Sequence, residues 1–149
     1  STFYRHYTDI YNMLDQIEAE LLAEIISVID AHKMAPIEDA FPFIADIFTI
    51  LENNKDICRA LIGPNGDLSF VNGIEHIISS YSMQALSPLF PQGLQEDLRY
   101  SSAFWLSGCM GLIKSWLLNN RPDSPEHMAS LTYQMVMNVV NTFPKQPTA

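Results

Sequence analysis

The chain is short of basic residues. Lys and Arg together number 8 among 149 residues, against 17 Asp and Glu, for a net charge of −9. Nucleic-acid backbones and anionic lipid surfaces are held by clustered Lys and Arg. No such cluster occurs, so the chain as it stands is not expected to grip either by charge. Long apolar runs are also missing. Glu, Asp, Lys or Asn interrupts every candidate before it reaches the roughly 20 residues of a membrane-spanning helix. The opening STFYRHYTDI has no apolar signal-peptide core. No membrane partner is expected, and the expected compartment is cytoplasmic. Cysteine is limited to Cys58 and Cys109, with no CxxC pair. That excludes the usual structural zinc and thioredoxin-type sites and reads as two separate buried thiols, which suit a reducing compartment.

Catalytic signatures are absent as well. There is no G-x-S-x-G, no H-E-x-x-H and no Gly-rich phosphate loop. His6, His32, His76 and His127 are scattered, with no i, i+4 metal pair. Neighbouring acids such as Asp15 and Glu18, or Glu96 and Asp97, read as solvated surface. The expectation is therefore a protein that is not an enzyme and uses no metal and no cofactor.

What the chain does have is apolar surface. Hydrophobic residues make up 48% and charged residues only 17%, below the roughly 25% of an average soluble domain. A subunit interface and an internal cavity are the two ordinary ways to use such an excess. Period-2 alternation is lacking, whereas i, i+3, i+4, i+7 spacing recurs throughout, which predicts an all-α fold of about six helices and a leading fragment. Residues 1–7 form a short helical turn. Thr8 is placed to cap a long helix to about His32, with Ile10, Met13, Leu14, Ile17, Leu21, Leu22, Ile25, Ile26, Val28 and Ile29 as its apolar stripe. Pro36 is placed as the first residue of the second helix, which ends at Asn53-Asn54, with a kink or delayed start open at Pro42. A short helix spans about Lys55 to Ile62. Gly63-Pro64-Asn65-Gly66 is the strongest turn signal, and Asp67 is placed to cap a helix of about 20 residues. The fifth helix, about Leu94 to Asn119, is apolar nearly all round, which predicts burial on all sides. Ser124-Pro125-Glu126 opens the last helix, which ends near Phe143-Pro144.

Thr2, Tyr4, His6 and Tyr7, followed by Asp9 and Leu14, form the most specific pattern in the chain. It resembles the end of the recognition helix and the start of the next helix in TetR-type transcription regulators, T-x-Y-x-H-F/Y followed by D-K-x-x-L-L. The chain departs from that pattern at Ile10, where the family usually has Lys, and at Met13, which replaces a Leu. The segment from Ser107 to Leu117, with Gly108, Gly111 and Trp116, is similar to the penultimate helix of a TetR C-terminal group. The resemblance implies that residues 1–7 are a remnant of a helix-turn-helix DNA-binding domain whose first helices would precede Ser1. Residues 8–149 would then be a ligand-binding and dimerisation domain. It also implies that Thr2, Tyr4 and His6 contact operator DNA in the full-length protein, through phosphates or base edges.

The same resemblance implies a cavity inside the body for a small apolar effector. Phe48, Tyr81, Met83, Tyr100, Phe104 and Trp105 are the candidates to line it, being large or half-polar at inward positions. For the homodimer the reading rests on the residues themselves. Ser107, Gly108 and Gly111 are small residues on one side of a bulky helix. Met128, Leu131, Thr132, Met135 and Val139 form a stripe on the last helix. The last two long helices of each subunit would then build a four-helix, two-fold interface. The expected function is a TetR-type regulator, a repressor as most of the family are. The alternative is a stand-alone helical binding or protein-interaction module with no DNA role, which would account for the acidic charge directly.

Overall fold

No Gly or Pro occurs before Pro36, so nothing in the first 35 residues interrupts a helical hydrogen-bond ladder. In the structure, a computed structural model, this stretch is one continuous helix, α1, Thr2–His32. The structure describes residues 2–120 and 122–142, without the side chains of residues 2–4, 6, 7, 10 and 11. The expected break at Thr8 does not occur. Thr costs a helix only a few tenths of a kcal/mol relative to good helix formers, too little to stop one without a Gly or Pro. The buried stripe of α1 is narrower than predicted. Leu21, Ile25 and Ile29, spaced i, i+4, i+8, are buried, whereas Met13, Leu14 and Ile26 are exposed.

The second helix, α2, spans Phe41–Asn53, not 36 onward. Pro36 has extended backbone, φ −65° and ψ 157°, and leads into a 3₁₀ turn at Ile37–Asp39. The reason lies in Pro42. A helix begun at 36 would hold Pro42 in its interior, without an N–H and against the carbonyl four residues back. Starting at Phe41 puts Pro42 in the first turn, where no N–H is needed.

A short helix α3, Lys55–Ile62, follows. The Gly63–Gly66 turn then reverses the chain, with the Gly66 N–H on the Gly63 carbonyl at 2.9 Å and the Asp67 N–H on the Leu61 carbonyl at 3.0 Å. A Cβ at Gly66 would lie 2.0 Å from the Leu61 carbonyl oxygen, so only glycine fits there. Asp67 caps α4, Leu68–Leu86, as expected, accepting from the Ser69 and Phe70 amides at 2.9 and 3.3 Å. Two 3₁₀ turns, Ser87–Leu89 and Gln92–Leu94, lead to α5, Gln95–Leu117. Ser124 caps the last helix, α6, Pro125–Val140, accepting from the His127 amide at 3.1 Å. The Trp116 indole donates to the Asp123 carbonyl at 2.8 Å and fixes the turn between α5 and α6.

The described residues are all-helical, with α2 packed most extensively against α6. No helix among them is long and apolar enough to cross a membrane. Two apolar clusters hold the helices together. The larger joins Leu21, Ile25 and Ile29 of α1 to α2, α3, the first half of α4 and the adjoining ends of α5 and α6 around Phe48, Cys58, Trp116 and Ala129. The smaller gathers Leu86, Phe90, Leu98, Val136 and Val140, with Ile37, Met83, Trp105 and Cys109 against them. The expectation that α5 is buried all round is corrected here. Leu98, Ser102, Trp116 and Leu117 are its buried residues, while Tyr100 and Phe104 are 73% and 74% exposed. Composition placed α5 in a core that one chain does not supply.

Candidate functional site

Between the two clusters lies an apolar cavity of about 100 Å³. Phe43, Ile47 and Phe48 of α2 and Ile78 of α4 wall one side; Trp105 and Cys109 of α5 and Val136 of α6 wall the other. These walls follow from helical periodicity, since each helix turns the apolar row that it buries toward the seam.

One end of the cavity is the last residue of α1. His32 lines it and makes three further contacts. Its Nε2 lies 2.8 Å from Asp46 Oδ2, its carbonyl accepts from the Tyr81 hydroxyl at 3.2 Å, and its ring meets Phe43 edge-on at 6.0 Å. Phe43 in turn lies 5.3 Å from the Tyr81 ring. The long helix, α2 and α4 are therefore tied together at the cavity wall. Burial raises the Tyr81 phenol above its ordinary pKa and pushes the Cys109 thiol up to about 11, so both are neutral near pH 7. Cys58, buried in the larger cluster and facing the charge of Glu24, is likewise pushed up to about 11. Both cysteines are free thiols.

Of the six residues expected to line a cavity, Phe48, Tyr81 and Trp105 do so. Met83 packs against the smaller cluster instead. Tyr100 and Phe104 point away, on the exposed side of α5. Their positions looked inward because that helix is apolar on every side. His32, Phe43, Ser82 and Cys109 were not singled out as lining residues. Ser82 had a readable signal: it replaces an apolar residue in the row Ile74, Ile78, Ser82, Leu86. His32 had none, because a terminal histidine reads as a favourable charge at a helix end.

The residues expected at a dimer face divide in two. Ser107, Gly108 and Gly111 are exposed on α5, and Leu131 and Met135 are 39% and 45% exposed on α6. Met128 and Thr132 are buried by their own chain, and Val139 is half-buried. A Cβ at Gly108 or Gly111 would meet nothing within 4 Å, so no neighbour in this chain requires glycine there. An open groove of about 440 Å³ runs beside that side of α5, lined by Ile62, Pro64, Val71, Met110, Gly111 and Lys114.

The side chains of Thr2, Tyr4 and His6 lie outside the described residues. In the same helix, the described side chains up to Gln16 are exposed, and the first buried residue is Leu21. Glu18 touches the body, where partial burial and then the hydrogen bond and charge of Asp67, with the charge of Asp15, raise its carboxyl pKa.

No curated protein and no solved structure matches the chain. A protein-family model does, over residues 38–138, and it describes a transcriptional regulator C-terminal region of the TetR type. That match covers α2 to α5, α6 except its last two residues, the cavity lining from Asp39 onward and more than half of the sequence, whereas His32, Ala35, Pro36 and Ile37 of the lining precede it. With an all-helical body that holds an apolar cavity between its helices, the chain belongs to the TetR-family transcriptional regulators, as their C-terminal region.

Proposed function

We propose that this chain is the effector-binding and dimerisation portion of a cytoplasmic TetR-type repressor, without enzymatic activity of its own. Residues 8–149 serve as the sensing body and residues 1–7 as the end of the DNA-reading head, with Thr2, Tyr4 and His6 toward operator DNA. A small molecule in the cavity between α2, α4, α5 and α6 changes operator affinity by moving α1. The carrying observation is that His32 is at once the last residue of α1 and part of the cavity wall. A molecule that displaces Phe43 or Tyr81 acts on the helix through these contacts. Coupling requires that it bind the two states of the body with different affinity.

The dimer face is the exposed side of α5 and α6, from Phe104, Ser107, Gly108 and Gly111 to Leu131 and Met135. Glycine inside a helix costs about 0.5–1 kcal/mol relative to alanine. Two glycines with no use inside the chain favour close approach of a second helix. The exposed aromatics of α5 are what such a contact would cover.

Selection of genomic DNA fragments by the complete gene product tests this reading. A two-fold symmetric site is expected, as a two-fold dimer demands. Recovery of no sequence-specific fragment would favour the stand-alone module, which the exposed acidic surface also suits.

A further inference from the structure

Most polar side chains around the cavity are engaged, and of the buried ones that carry oxygen only Ser82 is not. The Tyr81 hydroxyl donates to the His32 carbonyl, the His32 ring is engaged by Asp46, and the Thr132 hydroxyl donates to the Met128 carbonyl at 2.7 Å. Ser82 lines the cavity at only 7% exposure, yet its hydroxyl makes no hydrogen bond among the described residues. Among those residues, no side-chain polar atom that is sealed from water lacks a partner. The Ser82 oxygen therefore meets open space, and the cavity is the space beside it. A ligand that fills the cavity covers this hydroxyl, and covering it unpaired is costly, so a ligand that supplies a hydrogen-bond partner has the advantage over one that does not.

The remaining surroundings are neutral or apolar. The Cys109 thiol and the Tyr81 phenol stay protonated near pH 7. Asp39 reaches the cavity only from an exposed position, where water screens it, and Asp46 is occupied by His32. A charged ligand would lose its hydration without finding an unspent opposite charge inside. The volume of about 100 Å³ is smaller than the roughly 150 Å³ apolar cavity that admits benzene. One ring or a short chain is therefore what its sheltered part takes, with a small outward movement of the walls.

We infer that the cavity takes a compact, uncharged, mainly apolar molecule with one hydroxyl, of the phenol class, whose oxygen hydrogen-bonds to Ser82. This rests on the reading of the cavity as a ligand site. It adds the chemical class of the ligand and the residue that selects it.

Calorimetric titration of the chain with phenol, toluene, benzoate and benzylamine tests it. Phenol should bind about 3- to 10-fold more tightly than toluene, the factor expected for one net hydrogen bond. Benzoate and benzylamine should show no saturable binding. Ser82→Ala should bring phenol down to the affinity of toluene, and Ser82→Thr, which keeps the hydroxyl, should restore the preference. A thermal-unfolding midpoint close to that of the parent chain checks that each variant is folded. Equal affinity for phenol and toluene in the parent chain would overturn the role of Ser82 while leaving the cavity as a ligand site. Tightest binding of benzoate or benzylamine would overturn the neutral class. Failure of all four to bind would remove the ligand site itself.

Discussion

The two apolar clusters differ in what closes them. Both border the cavity, the larger through Ile44, Ile47 and Phe48, but away from it the larger is closed by the chain itself: Cys58 is 1% exposed, Trp116 meets Phe48 edge-on at 5.3 Å, and Ala129 is fully covered. The smaller, around Leu86, Leu98 and Val136, borders the cavity on one side, and its helix α5 leaves Tyr100 and Phe104 uncovered on the other. The larger cluster is closed on its far side by the chain itself; the smaller lies between the cavity and an uncovered side of α5.

Four substitutions probe this contrast. Phe48→Ala should cost about 3–5 kcal/mol in denaturant unfolding, the range for a fully buried aromatic. Leu98→Ala should fall near the lower end of the roughly 2–5 kcal/mol range for Leu→Ala, since its cluster is the smaller and lies beside the uncovered side of α5. Equal losses at the two positions would remove the distinction between the two clusters. Phe104→Glu should weaken the dimer by about 2 kcal/mol or more, as loss of a central aromatic does at an interface, and leave the fold of each subunit intact. Sedimentation equilibrium at micromolar concentration reads this, and a parent chain that is already monomeric would contradict the dimer face.

The smallest effect is at Glu18, in the contact between α1 and α4. Its pKa is raised in the folded chain, so its protonated form is the favoured one there. Its contribution is fully present below the unfolded pKa of a glutamate and is lost as pH rises through the folded value. Glu18→Gln should therefore raise the thermal midpoint at pH 7 and leave it nearly unchanged at low pH. The gain should be under about 1 kcal/mol, as for other largely solvated charge contacts. A lower midpoint at pH 7 would show that the charged form is the one the fold prefers.

The all-helical architecture was legible because the caps and turns carry local chemistry. Asp67, Ser124 and the Gly63–Gly66 turn act on neighbours in sequence, and they stand where the residues implied. The start of α2 was less legible, because two prolines six residues apart compete and the one that must sit in a first turn decides. On α4 Tyr81 was legible from its apolar row, whereas Met83 packs against the smaller cluster and Ser82 takes the place in the wall. They were not legible on α5, where Phe104 and Trp105 look alike in sequence and only the packing of α4 and α6 separates the exposed ring from the buried one. The role of His32 depends on Asp46, Tyr81 and Phe43, 11 to 49 residues away, and no local pattern announces it.

Coupling between the cavity and α1 is tested most directly by amide hydrogen exchange with and without saturating phenol, residue by residue. Altered protection in the last turn of α1, about Ile29 to His32, and in the following connection to Ala40 is the predicted result, with α3 unchanged. Phenol bound by calorimetry with protection unaltered throughout α1 would contradict the coupling.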